Sequence, residues 1–251
     1  MKDDLLRLNK AIAKTGFCSR RSADTLIFNG HIKVNGQLII NPAFQVSQSD
    51  IISIDDKKLE FKTTLHYIII NKPIHVVSTM SDPENRKTVN DFVPDTLKPF
   101  RLFPVGRLDY FSEGLLIMTN DGILANRLMH PRYHLPKTYE VKIRGIFDED
   151  KINRIKQGFI LNDGKKLLPI KVKIISNKSG LILLQMTLFQ GINRQIRKIC
   201  SELNWTILKL IRIKEGPISL GKLPSGQFRI LTDKEISELK SQTQITTRNQ
   251  D

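Results

Sequence analysis

The sequence predicts an α+β chain in two unequal parts: a small α-α-β unit over residues 1–60 and a larger mixed α/β domain over 65–240. Two observations carry this. Residues 5–30 place apolar side chains at helical spacing, while the chain beyond about Leu65 alternates short strands with helical stretches and Gly or Pro turns. Between them lies the charged stretch DDKKLEFKTT, which marks a linker at 61–64. The polar end SQTQITTRNQD reads as a disordered tail over 241–251.

In the first unit, Leu5, Leu8 and Ile12 fall on one helical face and Gly16 stops the helix. Ser19 caps a second helix with Ala23, Leu26 and Ile27 facing inward, and Gly30 ends it. HIKVNG then alternates as a strand and turns at Asn35-Gly36, and DIISID supplies a further strand. In the larger domain the strands are HYIIIN, GLLIMT, KTYEVKI, KVKII and LILLQMTL. No internal repeat is evident.

The 251 residues include 40 Lys+Arg against 25 Asp+Glu, a formal net charge of +15. The excess is spread along the chain, which suits a folded surface facing a polyanion, either nucleic acid or a membrane surface. Arg7, Lys10 and Lys14 share a face of the first helix, Arg20 and Arg21 open the second, and Lys33 follows on the strand. Most such runs are solvated faces; here the separation of basic from apolar faces favours phosphate binding.

Several classes are excluded. Cys18 and Cys200 stand far apart with no CxxC and no clustered His, so neither a disulfide framework nor a zinc site is expected. Two free thiols suit a reducing, cytosol-like compartment. No apolar run approaches the roughly 20 residues that span a bilayer, and MKDDLLRLNK has no signal core. A cytoplasmic protein is expected, with an organellar one the alternative. Walker-type, dinucleotide-binding and HExxH motifs are lacking, so neither cofactor nor metal is expected.

The segment GRLDYFSEGLLIMTNDG (106–122) sets an Arg-Leu-Asp triplet before an apolar strand. An acid at a strand edge is commonly a turn former. Gly106, however, permits unusual backbone, and Arg107 and Asp109 would share a side of an extended segment. Asn120-Asp121 can cap the helix that follows. In QGINRQIRKIC (190–200) and the residues after it, Ile196, Ile199, Cys200 and Leu203 form an apolar stripe, with Arg194, Arg197 and Lys198 on another face. That pattern fits an ordinary amphipathic helix and a functional one equally. Tyr139, within KTYEVKI, reads from its strand position as a packing residue.

Two resemblances go further. LNKAIAKTGFCSRRSADTLIFNGHIKVNG resembles the RNA-binding domain named after ribosomal protein S-four, across nearly all of residues 5–52. The segment around Asp109 resembles the signature of the ribosomal RNA pseudouridine synthases of the RsuA/RluB/RluE/RluF group. KTYEVKI, QGINRQIRKIC, NKP at 71–73 and LIRIKEGPISLGKLPSGQFRILT follow the same layout. The resemblance implies a catalytic domain with a mainly antiparallel sheet. It implies that Asp109, Tyr139 and Arg197 are catalytic, with Arg197 pairing the aspartate. By the same resemblance Ile196 would line the base pocket and Arg107 would fill the space left by a flipped base, and Arg194 is expected to contact substrate.

Arg7, Lys10, Lys14, Arg20, Arg21 and Lys33 would then bind RNA. The partner implied is ribosomal RNA, with RKTVNDFVP and the QGINRQIRK wording leaning to the large-subunit (23S) RNA or its assembly intermediates. The protein is expected to act as a monomer with no membrane partner. The rival class is a non-catalytic RNA-binding or ribosome-assembly protein on the same scaffold; the retained Asp109, Tyr139 and Arg197 speak against it. Two positions depart from the family pattern: His75 stands where NKPxG has glycine, and Phe111 stands where relatives often carry an acid.

Overall fold

The computed structural model describes residues 5–60, 64–133 and 135–244. It divides into two compact units, one of Met1–His66 with Asp95–Arg101, the other of Tyr67–Pro94 with Leu102–Asp251. The excursion at Asp95–Arg101 was not foreseen from the sequence, which assigned it to the larger domain. Within the first unit the Phe100 ring lies 4.0 Å from that of His66, and Arg101 donates to the Phe17 carbonyl at 3.4 Å. Most of the expected linker, 61–63, lies outside the described residues.

The first unit runs β1 (Leu6–Arg7), α1 (Leu8–Lys14), α2 (Arg20–Phe28), β2 (Ile32–Val34), β3 (Gln37–Leu38), β4 (Gln45–Val46), β5 (Ile52–Ile54) and β6 (Lys57–Lys58). Among the described residues, β3-β2-β5-β6 form one antiparallel sheet and β1 pairs β4. The Ser19 hydroxyl accepts from the Ser22 amide and caps α2, a bond typically worth about 1 kcal/mol. Asn35 and Gly36 both take positive φ (48° and 82°), the geometry a tight Asn-Gly hairpin requires. Leu8, Ile12, Ala23, Ile27, Ile32 and Ile52 fill the core. Leu5 does not join them: it is 58% exposed and precedes the helix, because β1 pairing with β4 holds the chain extended until Leu8.

The second unit continues with β7 (Tyr67–Lys72), β8 (Phe103–Pro104), β9 (Glu113–Thr119), α3 (Gly122–Met129), β10 (Lys137–Arg144), α4 (Glu149–Gln157), β11 (Lys171–Lys178), β12 (Leu181–Leu188), α5 (Gln195–Glu202), β13 (Thr206–Glu215), β14 (Ile218–Ser219), β15 (Phe228–Ile230) and α6 (Asp233–Gln242). Its sheet has the order β11-β12-β10-β13-β9-β7-β15, antiparallel throughout except for the parallel pair β13–β9. That pair divides the domain. On one side β10, β12, α4 and α5 enclose a core of Val141, Ile155, Leu184, Met186 and Ile199. On the other β7, β9, α3 and α6 enclose Ile69, Leu115, Ile117, Leu124 and Leu239.

The parallel join depends on Gly114. It pairs with Arg212 at φ 105°, and a Cβ there would run into the Arg212 backbone. At the C-terminus, α6 passes the expected limit at Lys240, and Thr243 is fully buried with its carbonyl accepting from Arg127. The expected tail from 245 onward lies outside the described residues. No helix among those described is long and apolar enough to cross a membrane.

Candidate active site

Asp109 lies in the loop that leads into β9, on one side of the parallel join, and Arg197 projects from α5 on the other. Gly106 enters that loop at φ 75°. The Ser78 hydroxyl then clamps the triplet at its middle, donating to the Leu108 carbonyl at 2.9 Å and accepting from the Leu108 amide at 3.1 Å. Leu108 is buried, Asp109 is half-buried and Arg107 is exposed. After Asp109 the chain turns tightly, the Ser112 amide donating to the Asp109 carbonyl at 3.0 Å. Asp121 caps α3 with two amide bonds of 3.0 Å and accepts from the Tyr67 hydroxyl, fixing the far end of β9.

Arg197 holds this turn with three bonds. Its Nε donates to Asp109 Oδ2 at 3.2 Å, and its Nη2 to the Phe111 carbonyl at 2.8 Å and Ser112 Oγ at 3.0 Å. A planar guanidinium can serve all three acceptors at once; a lysine ammonium lacks that fork. What aims Arg197 is the apolar stripe of α5. Ile196, Ile199, Cys200 and Leu203 are all buried, each aliphatic one contributing about 1.5–3 kcal/mol. The other two cations diverge: Lys198 pairs with Asp163 at 2.6 Å, and Arg194 is exposed at the start of α5 in left-handed conformation.

Tyr139 lies on β10, partly buried against the core that holds Ile196. Burial pushes its phenol pKa upward, with Arg212 pulling the other way and Glu215 adding to the rise. Arg212 and Glu215, each 2% exposed, face each other at 3.3 Å, while Lys137 approaches Glu215 at 3.4 Å. Residues three apart on a strand normally point to opposite faces. Here the register slips between Thr138 and Tyr139, so that Lys214 pairs Thr138 while Arg212 pairs Tyr139. The bulge at Ile213 returns both charges to one side.

Sequence reasoning missed this pair, and it missed Lys72. Lys72 is wholly buried at the end of β7, opposite Gly114, and its Nζ donates to the Pro73 carbonyl at 2.8 Å. Burial lowers its pKa to about 8, against the upward pull of Glu113 and Asp109. It is therefore a second cation in the field of Asp109. A single lysine closing the apolar run YIIIN was the available signal.

The two departures from the family pattern both lie at anchored backbone positions. His75 adopts φ 61°, the left-handed conformation a glycine would take, and its amide donates to the Tyr110 carbonyl at 2.8 Å. The Phe111 side chain is exposed while its backbone carbonyl serves Arg197.

Residues 66–202 match the RNA pseudouridylate synthase family, and residues 6–52 match the S4 domain. The chain belongs to the RNA pseudouridine synthases. This synthase is 38% identical to ribosomal large subunit pseudouridine synthase B of Bacillus subtilis, over 94% of this chain and 96% of that one. It is 35% identical to the dual-specificity RNA pseudouridine synthase RluF of Escherichia coli, over 95% and 80% respectively. A crystal structure of a pseudouridylate synthase superposes with a TM-score of 0.67 at 28% identity, covering 93% of this synthase and 99% of that chain. The expected family, two-domain architecture and mainly antiparallel sheet are thus borne out, and the substrate is RNA.

Among the cations expected to bind RNA, Arg7, Lys10, Lys14, Arg20 and Arg21 are exposed on the first unit. Lys33 is partly exposed and pairs with Asp56, its Nζ 2.6 Å from the carboxylate, a contact invisible in sequence because the acid lies in the β5–β6 turn.

Proposed function

We propose that this synthase isomerises one uridine of large-subunit ribosomal RNA to pseudouridine, with Asp109 as the catalytic carboxylate. The observation that carries the reading is the Asp109–Arg197 pair, a carboxylate held by a charge-assisted bond at the join of the two half-cores. The relative named for the large subunit supports the choice of RNA.

The reaction breaks the glycosidic bond to nitrogen and rejoins the ribose to carbon five of the same uracil. Composition and oxidation state are conserved, so the step needs no redox cofactor. The uridine must first leave its stack, at an unstacking cost that is smallest in a loop. Arg107, exposed beside the site, fills the space it vacates, and Arg194 contacts the neighbouring backbone. Tyr139 stacks on the uracil and Ile196 closes the pocket. A phenol whose pKa is raised by burial stays protonated, which suits stacking over proton abstraction.

Asp109 acts as its ion, either attacking the ribose or removing its 2′ proton, with Arg197 and Lys72 stabilising the negative charge. Arg7, Lys10, Lys14, Arg20 and Arg21 hold the phosphate backbone. On this reading the enzyme works as a monomer in the cytoplasm, on 23S RNA or its assembly intermediates.

The test is carbodiimide mapping of pseudouridine in rRNA from cells lacking the protein, rescued with wild type or Asp109→Ala. One large-subunit site should disappear and return only with wild type. Full restoration by Asp109→Ala would overturn the assignment.

A further inference from the structure

Beside Asp109 stands an aromatic cluster that the proposed chemistry does not use. Tyr110 and Phe111 follow the aspartate directly and are 37% and 56% exposed. Their rings lie 5.2 Å apart, nearly perpendicular at 83°. The His75 ring completes the group, 5.2 Å from Tyr110 at 37° and 5.6 Å from Phe111 at 85°. These rings do not fill a core, since two of them leave a third or more of their surface in water. Nor is the arrangement incidental to a loose loop. His75 is held at φ 61°, a conformation costly for a residue with a side chain, by the hydrogen bond that its amide donates to the Tyr110 carbonyl. The Phe111 carbonyl is fixed by Arg197. Two anchored backbones therefore present three rings beside the reacting carboxylate.

We infer that His75, Tyr110 and Phe111 form a stacking platform for an unpaired base of the substrate RNA adjoining the target uridine. The inference rests on the proposed function, because it identifies the occupant from the neighbouring site. Consecutive residues are about 3.8 Å apart, so Tyr110 and Phe111 lie within one to two residue lengths of Asp109, where the nucleotide next to a bound uridine must pass. Every nucleobase offers a π-face, and exposed rings in a basic protein suit single-stranded RNA. The cation that faces Tyr110 is already committed. Arg86, which feels the Tyr110 phenol, is bound by Asp82 through bonds of 3.0 and 2.8 Å and lies 3.1 Å from Glu84. The platform thus acts by stacking, and its contribution is insensitive to salt.

The experiment uses the full-length enzyme and an RNA stem-loop cut around the uridine mapped above, with 2-aminopurine placed on either side of that uridine. Wild type should quench the fluorescence of one of the two. His75→Gly suits the positive φ and keeps the fold, and Phe111→Ser removes the most exposed ring. Each should weaken the quench and raise KM roughly three- to tenfold with kcat nearly unchanged, equally at low and high salt. Phe111→Trp should restore both readouts. Unchanged quench and KM in His75→Gly and Phe111→Ser, with wild type still forming pseudouridine, would overturn the platform alone. Absence of pseudouridine with wild type would overturn the functional reading, and the platform with it.

Discussion

In the first unit Arg7, Lys10, Lys14, Arg20 and Arg21 all stand in solvent, whereas in the larger domain Lys72, Arg212 and Glu215 are almost wholly buried and Arg197 is 19% exposed. The same residue types serve opposite ends. Exposed cations keep their hydration and recognise phosphate at long range, so their effect is additive and screened by salt. Buried ones are desolvated and directional, and each depends on a few named partners. Substitutions in the two regions should therefore separate binding from chemistry.

The largest effect is expected at Arg197. Arg197→Leu leaves the α5 stripe intact but frees Asp109 and the turn to Ser112, so kcat should fall about 10²- to 10³-fold. Arg197→Lys should recover only part of this, since an ammonium cannot serve three acceptors. Full activity in Arg197→Lys would show that charge alone suffices.

Next comes Lys72. Its folded pKa of about 8 lies below the ordinary lysine value, so the buried charge destabilises the fold at lower pH. That penalty fades as pH rises from about 8 toward 10.5. Lys72→Met should unfold at higher temperature than wild type at pH 7, by about 1 kcal/mol or more, with kcat lowered about tenfold. In wild type kcat should decline as pH rises through about 8; the variant should lack that step. Calorimetry and a pH–rate profile check both halves, and a Lys72→Met protein that is less stable at pH 7 would contradict the account.

The smallest effect on chemistry belongs to the first unit. Replacing Lys10, Lys14 and Arg21 with Gln should weaken RNA affinity and make the log–log salt dependence shallower by about 2–3. An unchanged slope in filter binding would mean that these cations contact no phosphate.

Local features of the fold were readable because they depend on neighbours in sequence. The Ser19 and Asp121 caps, the Asn35-Gly36 turn and the α5 stripe all follow from spacing of four residues or fewer. Leu5 misled because helical spacing cannot see the β1–β4 pairing that keeps it extended. The Arg212–Glu215 pair was hidden by a bulge, which changes the face a residue occupies without leaving a pattern. Spacing could not show that Lys33 pairs with Asp56 and Lys198 with Asp163, because each acid lies more than twenty residues away. For Asp109 and Arg197 the family resemblance supplied what spacing could not, since 88 residues separate them.

The account stands most directly on one measurement: tritium release from an rRNA transcript labelled at carbon five of uridine, under single-turnover conditions, with Asp109→Asn. The variant keeps the size of the side chain and an acceptor for Arg197, so it should bind the transcript about as tightly as wild type. It should release tritium at least about 10⁴-fold more slowly. Release within tenfold of wild type would place the chemistry elsewhere in the molecule.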